Sequence, residues 1–233
     1  MTARTASKRG FDSATLGFLG ELAANNERTW FQDNKARYES LVLDPALAFI
    51  ETMGPRLERL SKHFVAVPKR SGGSLMRVYR DTRFARDKTP YKTNIGIQFR
   101  HERGKDVHAP GFYIHIEPGS CFLGAGIWHP ESSALAAIRT AIAERPVDWR
   151  RATSGKAFRS RYELGGERLV RPPRGFSADA EHIEDLKRKD FIAVCALADR
   201  EVLAKDFAKQ AYQQFAAAKP LMAFLCKALN LQF

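Results

Sequence analysis

Cysteine is scarce in this chain, with three in 233 residues. Cys121, Cys195 and Cys226 are an odd number without close spacing, so neither a disulfide framework nor a zinc knuckle is expected, and a reducing cytoplasm is the default compartment. Long apolar runs are lacking too. None approaches the roughly 18 residues of a membrane span, and no secretory-type apolar stretch follows the first methionine, so no membrane partner is expected. There is no Gly-x-Ser-x-Gly elbow, no Walker loop and no dinucleotide fingerprint, which disfavours the hydrolases, P-loop enzymes and nicotinamide oxidoreductases that depend on them. No cofactor is expected. Acidic residues fall short as well: 26 Asp plus Glu stand against 38 Lys plus Arg, a net charge of +12.

That excess is local. Residues 59–92 hold ten basic and two acidic side chains and residues 150–174 eight and two, a combined +14 that leaves the remainder at −2. Concentrated positive charge points to anionic partners, whether small molecules or nucleic acid, and says nothing about fold.

The length fits one domain, expected over 11–233, behind a disordered tail at 1–10. Leu16, Leu19 and Leu22 predict a first helix with Ser13 as its cap. Asn26 opens a second helix through Trp30, Phe31 and Tyr38, and Pro45 starts a third with a kink at Gly54-Pro55. Short β-branched and aromatic runs follow at Leu75 to Arg80, Asn94 to Arg100, Gly111 to Glu117 and Cys121 to Trp128. Glu131 to Glu144 reads as helix and 150–176 as largely loop, with a short strand at Arg168 to Arg171. Next come a helical turn at His182 to Lys187, a buried strand at Phe191 to Leu197, and one or two terminal helices over Asp199 to Leu229. Strands in succession without intervening helices imply an α+β fold: a mainly antiparallel sheet, helices on one face, an N-terminal helical layer and a C-terminal helix.

Alternation sorts the strands into two faces. Met76, Val78, Ile95, Ile97, Phe99, Ile114, Ile116, Leu123 and Ile127 form an aliphatic set that must meet the helices. The opposite set includes Arg77, Tyr79, Asn94, Gly96, Gln98, Arg100, Tyr113, His115, Glu117, Phe122, Gly124, Gly126 and Trp128. A two-residue hairpin loop would place Glu117 opposite Phe122, His115 opposite Gly124 and Tyr113 opposite Gly126. Glycines inside strands mark bulges or close approaches, so Gly96, Gly124 and Gly126 beside titratable groups outline a pocket floor. An ordinary solvated sheet face is the bland alternative.

Between the first two runs lies Arg77-x-x-Arg80-Asp81-x-Arg83-Phe84-x-x-Asp87-Lys88-x-x-Tyr91-Lys92. Guanidinium forks suit bidentate contacts to phosphate or carboxylate, and the two aspartates can hold them from behind. This signature resembles that of the domain of unknown function 2461, a family of conserved hypothetical, mostly bacterial proteins. Asn25-Asn26-x-x-x-Trp30-Phe31, Tyr113-x-x-x-Glu117-Pro118-Gly119, Gly124-x-Gly126-x-Trp128-x-Pro130 and Leu186-Lys187-x-Lys189-Asp190-Phe191 are similar as well. The resemblance implies that the basic segment and the hairpin matter. It implies no reaction.

The expected site is therefore an arginine-lined anion site on the polar sheet face. Arg77, Arg80, Arg83, Lys88 and Lys92 would bind the anion, Asp81, Asp87 and Tyr91 would support the loop, and Tyr113, His115 and Glu117 would carry acid/base chemistry. Nucleic-acid binding through the basic windows and exposed Tyr79, Phe84 and Tyr91 is the alternative, and a non-catalytic scaffold a third. No metal is expected: His115-x-Glu117 supplies two ligands, while His101, His108 and His129 follow no ligand spacing.

Overall fold

The computed structural model describes residues 10–104 and 109–233. Apart from Gly10, the tail expected at 1–10 lies outside the described residues, as does His108. Helix α1, Ser13–Ala24, is capped by Asp12 rather than Ser13: the Asp12 carboxylate accepts the Thr15 amide at 3.0 Å in a capping box. Helices α2, Arg28–Asp33, and α3, Lys35–Tyr38, follow; a π-helical turn, Glu39–Leu43, leads into α4, Asp44–Leu60, which runs on through Pro55. Asn26 does not open α2. Its side-chain amide pairs with the Tyr91 backbone instead.

The sheet comprises β1, Ile95–Arg100; β2, Gly111–Ile116; β3, Cys121–Ile127; β4, Glu163–Leu164; and β5, Phe191–Leu197. All pairs are antiparallel, in the order β1-β2-β3-β5-β4, and the fold is α+β. Ile95, Ile97, Phe99, Ile114, Ile116, Leu123 and Ile127 are all buried, as alternation requires. Against them pack α4, α10, Phe207–Ala217, and α11, Lys219–Ala228, with the Phe112 and Phe215 ring centroids 4.7 Å apart. Helices α5, Ser132–Glu144, α6, Pro146–Ser154, α7, Lys156–Arg159, α8, Ile183–Leu186, and α9, Asp199–Val202, complete the domain. None of the described helices is long and apolar enough to cross a membrane.

Three expectations change. The β2–β3 turn is centred on Pro118-Gly119, one residue earlier than expected: Ser120 N–H reaches the Glu117 carbonyl at 2.9 Å and Gly119 takes φ +75°, the geometry of a Pro-Gly type II turn. His115 therefore pairs with Phe122, Tyr113 with Gly124 and Gly111 with Gly126. The shift is two residues, so every side chain keeps its face. Second, 75–80 is no regular strand. It touches β1 through the Leu75–Ile97 bridge, and its phase is reversed there: Leu75 is buried, while Met76 lies on the open face beside Gly96. Third, 150–176 begins in helix. Pro146 starts α6, and Trp149 and Ala152 at helical spacing are buried, the Trp149 indole donating to Asp185 at 2.8 Å. The basic residues on the outer side of this window hid that stripe; Arg150, Arg161 and Arg168 pair with Glu181, Glu201 and Glu184. Arg168 forms an isolated bridge with Arg188 in place of the expected short strand.

Gly126 is required by backbone. It has φ +136°, and a Cβ there would stand 2.0 Å from the Phe191 carbonyl oxygen. Gly126→Ala is expected to cost about 2–4 kcal/mol and lower Tm by roughly 5–15 °C. A thermal melt within a degree or two of the parent would show that β3 and β5 can separate there freely.

Candidate functional site

The open face of the sheet carries a cavity of about 350 Å³, spanning β1, β2, β3 and β5. Gln98, Tyr113, His115, Phe122, Trp128, Ile192 and Val194 line it, with Met76 and the backbone of Gly124 and Gly126. Most of this lining is apolar; its polar side chains are Gln98, Tyr113 and His115. The expected glycine floor is only partly bare. A Cβ on Gly96 would meet Tyr113 Oη at 2.9 Å and Met76 Sδ at 3.0 Å, and one on Gly124 would meet Tyr113 Cβ at 3.4 Å. Gly96 and Gly124 thus give up their side chains to make room for one phenol ring.

Pleating puts Tyr113 and His115 on the same face of β2. Tyr113 Oη lies 3.2 Å from His115 Nδ1, and Asn94 Nδ2 lies 3.3 Å from the same nitrogen. Because the Asn94 amide nitrogen can only donate, Nδ1 is an acceptor, and the ring proton sits on Nε2, which donates to Glu117 Oε2 at 3.2 Å. Thr93 Oγ1 donates to the other oxygen, Oε1, at 2.7 Å. The imidazole is stacked on Phe122, centroids 4.6 Å apart and planes 11° from parallel, which fixes its orientation. Burial pushes the Tyr113 phenol up to about 12, aided by the Glu117 charge, so it keeps its proton at neutral pH. Sequence placed Tyr113, His115 and Glu117 together, and so they are.

The basic segment goes elsewhere. Residues 78–80 and 90–92 pair across a Tyr79–Tyr91 bridge, with Arg80 N–H to the Pro90 carbonyl at 2.9 Å and Lys92 N–H to the Val78 carbonyl at 2.7 Å. The intervening loop lines no part of the sheet cavity. It is moored to the helical layer instead. Asn26 pairs with the Tyr91 backbone in both directions, Nδ2 to the carbonyl at 2.9 Å and the Tyr91 amide to Oδ1 at 3.0 Å, and the Tyr91 ring stacks on Phe31 at 4.1 Å. Tyr91 is therefore buried, not an exposed stacking platform, whereas Phe84 is 95% exposed.

Arg80 and Lys92, of the five expected anion-binding residues, share a polar cleft of about 420 Å³ with Asn26, Asp87, Thr89, Tyr91, Thr93 and Asn94. Arg77 is exposed and acts on Lys92 by its charge. Arg83 turns out to solvent on a bidentate pair with Asp81, at 3.0 and 2.7 Å, and the Lys88 ammonium donates to the Thr82 carbonyl. The hydrogen bonds from Arg83 hold the Asp81 carboxyl down at about 2. Those from the Thr89 amide, then Arg80 and the Thr89 hydroxyl, do the same for Asp87. Among the described residues no three His, Cys, Asp or Glu side chains gather as metal ligands.

Residues 14–224 match the conserved hypothetical protein family DUF2461. The chain belongs to that family. No curated protein and no solved structure matches it. In this DUF2461 protein, alternation placed Asn94 on the polar face, beside β2, but its bond to His115 was not foreseen, nor were the roles of Thr93 and Asn26. Asn94 could have been found from the sheet register, since Gly96 pairs with His115. Asn26 meets Tyr91 across 65 residues, and no local pattern announces it.

Asp81 and Asp87 titrate near 2 when folded, against the usual 3.8. A depressed folded pKa means that the unfolded chain takes up protons first, so their stabilisation is complete above about pH 4 and is lost as pH falls toward 2. Asp87→Asn is expected to flatten the fall of Tm between pH 4 and 2. Parallel curves for parent and variant would show that the loop pairs add nothing to stability.

Proposed function

We propose that this protein binds an anionic small molecule on the open face of its sheet, holding the organic body in the 350 Å³ cavity and exchanging a proton with it at Tyr113. The observation that carries the proposal is the continuous hydrogen-bond chain Thr93–Glu117–His115–Tyr113, whose last two members line the cavity. A ligand hydroxyl donating to Tyr113 Oη allows the phenol to pass its own proton to His115 Nδ1. The resulting imidazolium then faces the Glu117 carboxylate, which Thr93 holds in place. The reverse path returns the proton. This is the arrangement of a general base oriented by a carboxylate, with a protonated phenol between base and ligand.

The walls suit an organic body: Phe122, Trp128, Ile192 and Val194 offer apolar surface. Positive charge for an anionic arm stands nearby, since Asn94 both bonds His115 and lines the cleft of Arg80 and Lys92. Nucleic-acid binding is less well supported, because Arg80 and Arg83 are committed to Asp87 and Asp81.

The probe 8-anilinonaphthalene-1-sulfonate combines flat apolar rings with an anion. It is expected to bind the folded protein, with energy transfer from the half-exposed Trp128 indole. Val194→Phe, which fills the cavity, is expected to weaken binding about tenfold or more. Equal binding by Val194→Phe and parent, measured by fluorescence titration, would rule the cavity out.

A further inference from the structure

We infer that the cleft lined by Asn26, Arg80, Thr89, Lys92, Thr93 and Asn94 is the seat of an oxyanion, a phosphate ester or a carboxylate, with the Lys92 ammonium as its principal counter-charge. The inference rests on the ligand being an anion, and is independent of the proton relay at Tyr113.

Lys92 is the unbalanced charge of the cleft. Its backbone is fixed by the bond to Val78 and by the mooring of Tyr91 next to it. Its side chain is partly buried, yet among the described residues it has no ion pair and no hydrogen bond. Burial lowers its pKa, and the charge that bears on it, the Arg77 guanidinium, has the same sign and lowers it further. Asp87, the carboxylate that lines the cleft, is already engaged by Arg80, the Thr89 amide and the Thr89 hydroxyl. Among the residues that line the cleft, Arg80 and Lys92 against Asp87 leave one positive charge, that of Lys92, without a partner. A partly desolvated cation without a counter-ion is costly, and such sites are completed by a ligand. A compact oxyanion fits the 420 Å³ space, where Lys92 is free to turn its three donors toward it. The exposed cations Arg83 and Lys88 are spent on Asp81 and the Thr82 carbonyl, and the exposed Arg86 lines no part of the cleft.

The test is thermal melting of the whole chain while inorganic phosphate or citrate is titrated at constant ionic strength. At ten times its Kd, either oxyanion is expected to raise Tm by about 3–6 °C. Lys92→Met should melt no lower than the parent without the oxyanion, because the unpaired charge is gone, and should lose the response. Lys92→Gln offers the same comparison with a polar side chain. Lys88→Met should keep the response, as should Tyr113→Phe, so failure of the anion seat and failure of the relay are seen separately. A response to phosphate alone marks a phosphate ester, and to citrate alone a carboxylate. No rise with either anion, or a rise that survives in both Lys92 variants, overturns the proposal.

Discussion

Everything at the candidate site depends on the pairing of β2 on both its edges. With β1 on one side and β3 on the other, the strand cannot roll, and its alternation becomes a rigid instruction. Phe112, Ile114 and Ile116 turn to the helices and are wholly buried. Tyr113 and His115 then have nowhere to stand except the open face, two residues apart, with their rings tilted 51° to one another and Tyr113 Oη reaching His115 Nδ1. Their separation of 3.2 Å is a consequence of the ladder, and the glycines at 96 and 124 supply the room that a phenol lying across neighbouring strands needs.

That dependence also explains what could be read in advance. The buried aliphatic face and the Tyr113, His115 and Glu117 set follow from period-two alternation alone, and they survive even a misplaced turn, because a slip of two residues in pairing preserves face. Met76 was assigned wrongly for the opposite reason. Residues 75–80 lack a continuous ladder, so nothing enforced the phase, and one residue of irregularity moved Met76 from the core side to the cavity. Helix α6 was missed because the Arg-rich surface of residues 150–159 obscured the Trp149 and Ala152 stripe.

The charge pattern was legible in amount and not in direction. Six basic residues between Arg77 and Lys92 looked like one surface. Folding divides them: Arg83 is paired outward and Lys88 caps a carbonyl, while Arg80 and Lys92 face a cleft with one carboxylate. Sequence counts formal charges, whereas geometry decides which of them remain unspent. The long-range Asn26 to Tyr91 pairing made that division, and it had no counterpart in any local spacing.

The Asn26 amide offers one donor and one acceptor to the Tyr91 backbone, so it behaves as a β-strand one residue long, grown from the end of a helix. Such a clamp gives the basic segment no independent hinge. With Tyr91 stacked on Phe31, the stem can open only by taking helix α2 with it, so the most charged stretch of the chain belongs to the same cooperative unit as its apolar N-terminal layer.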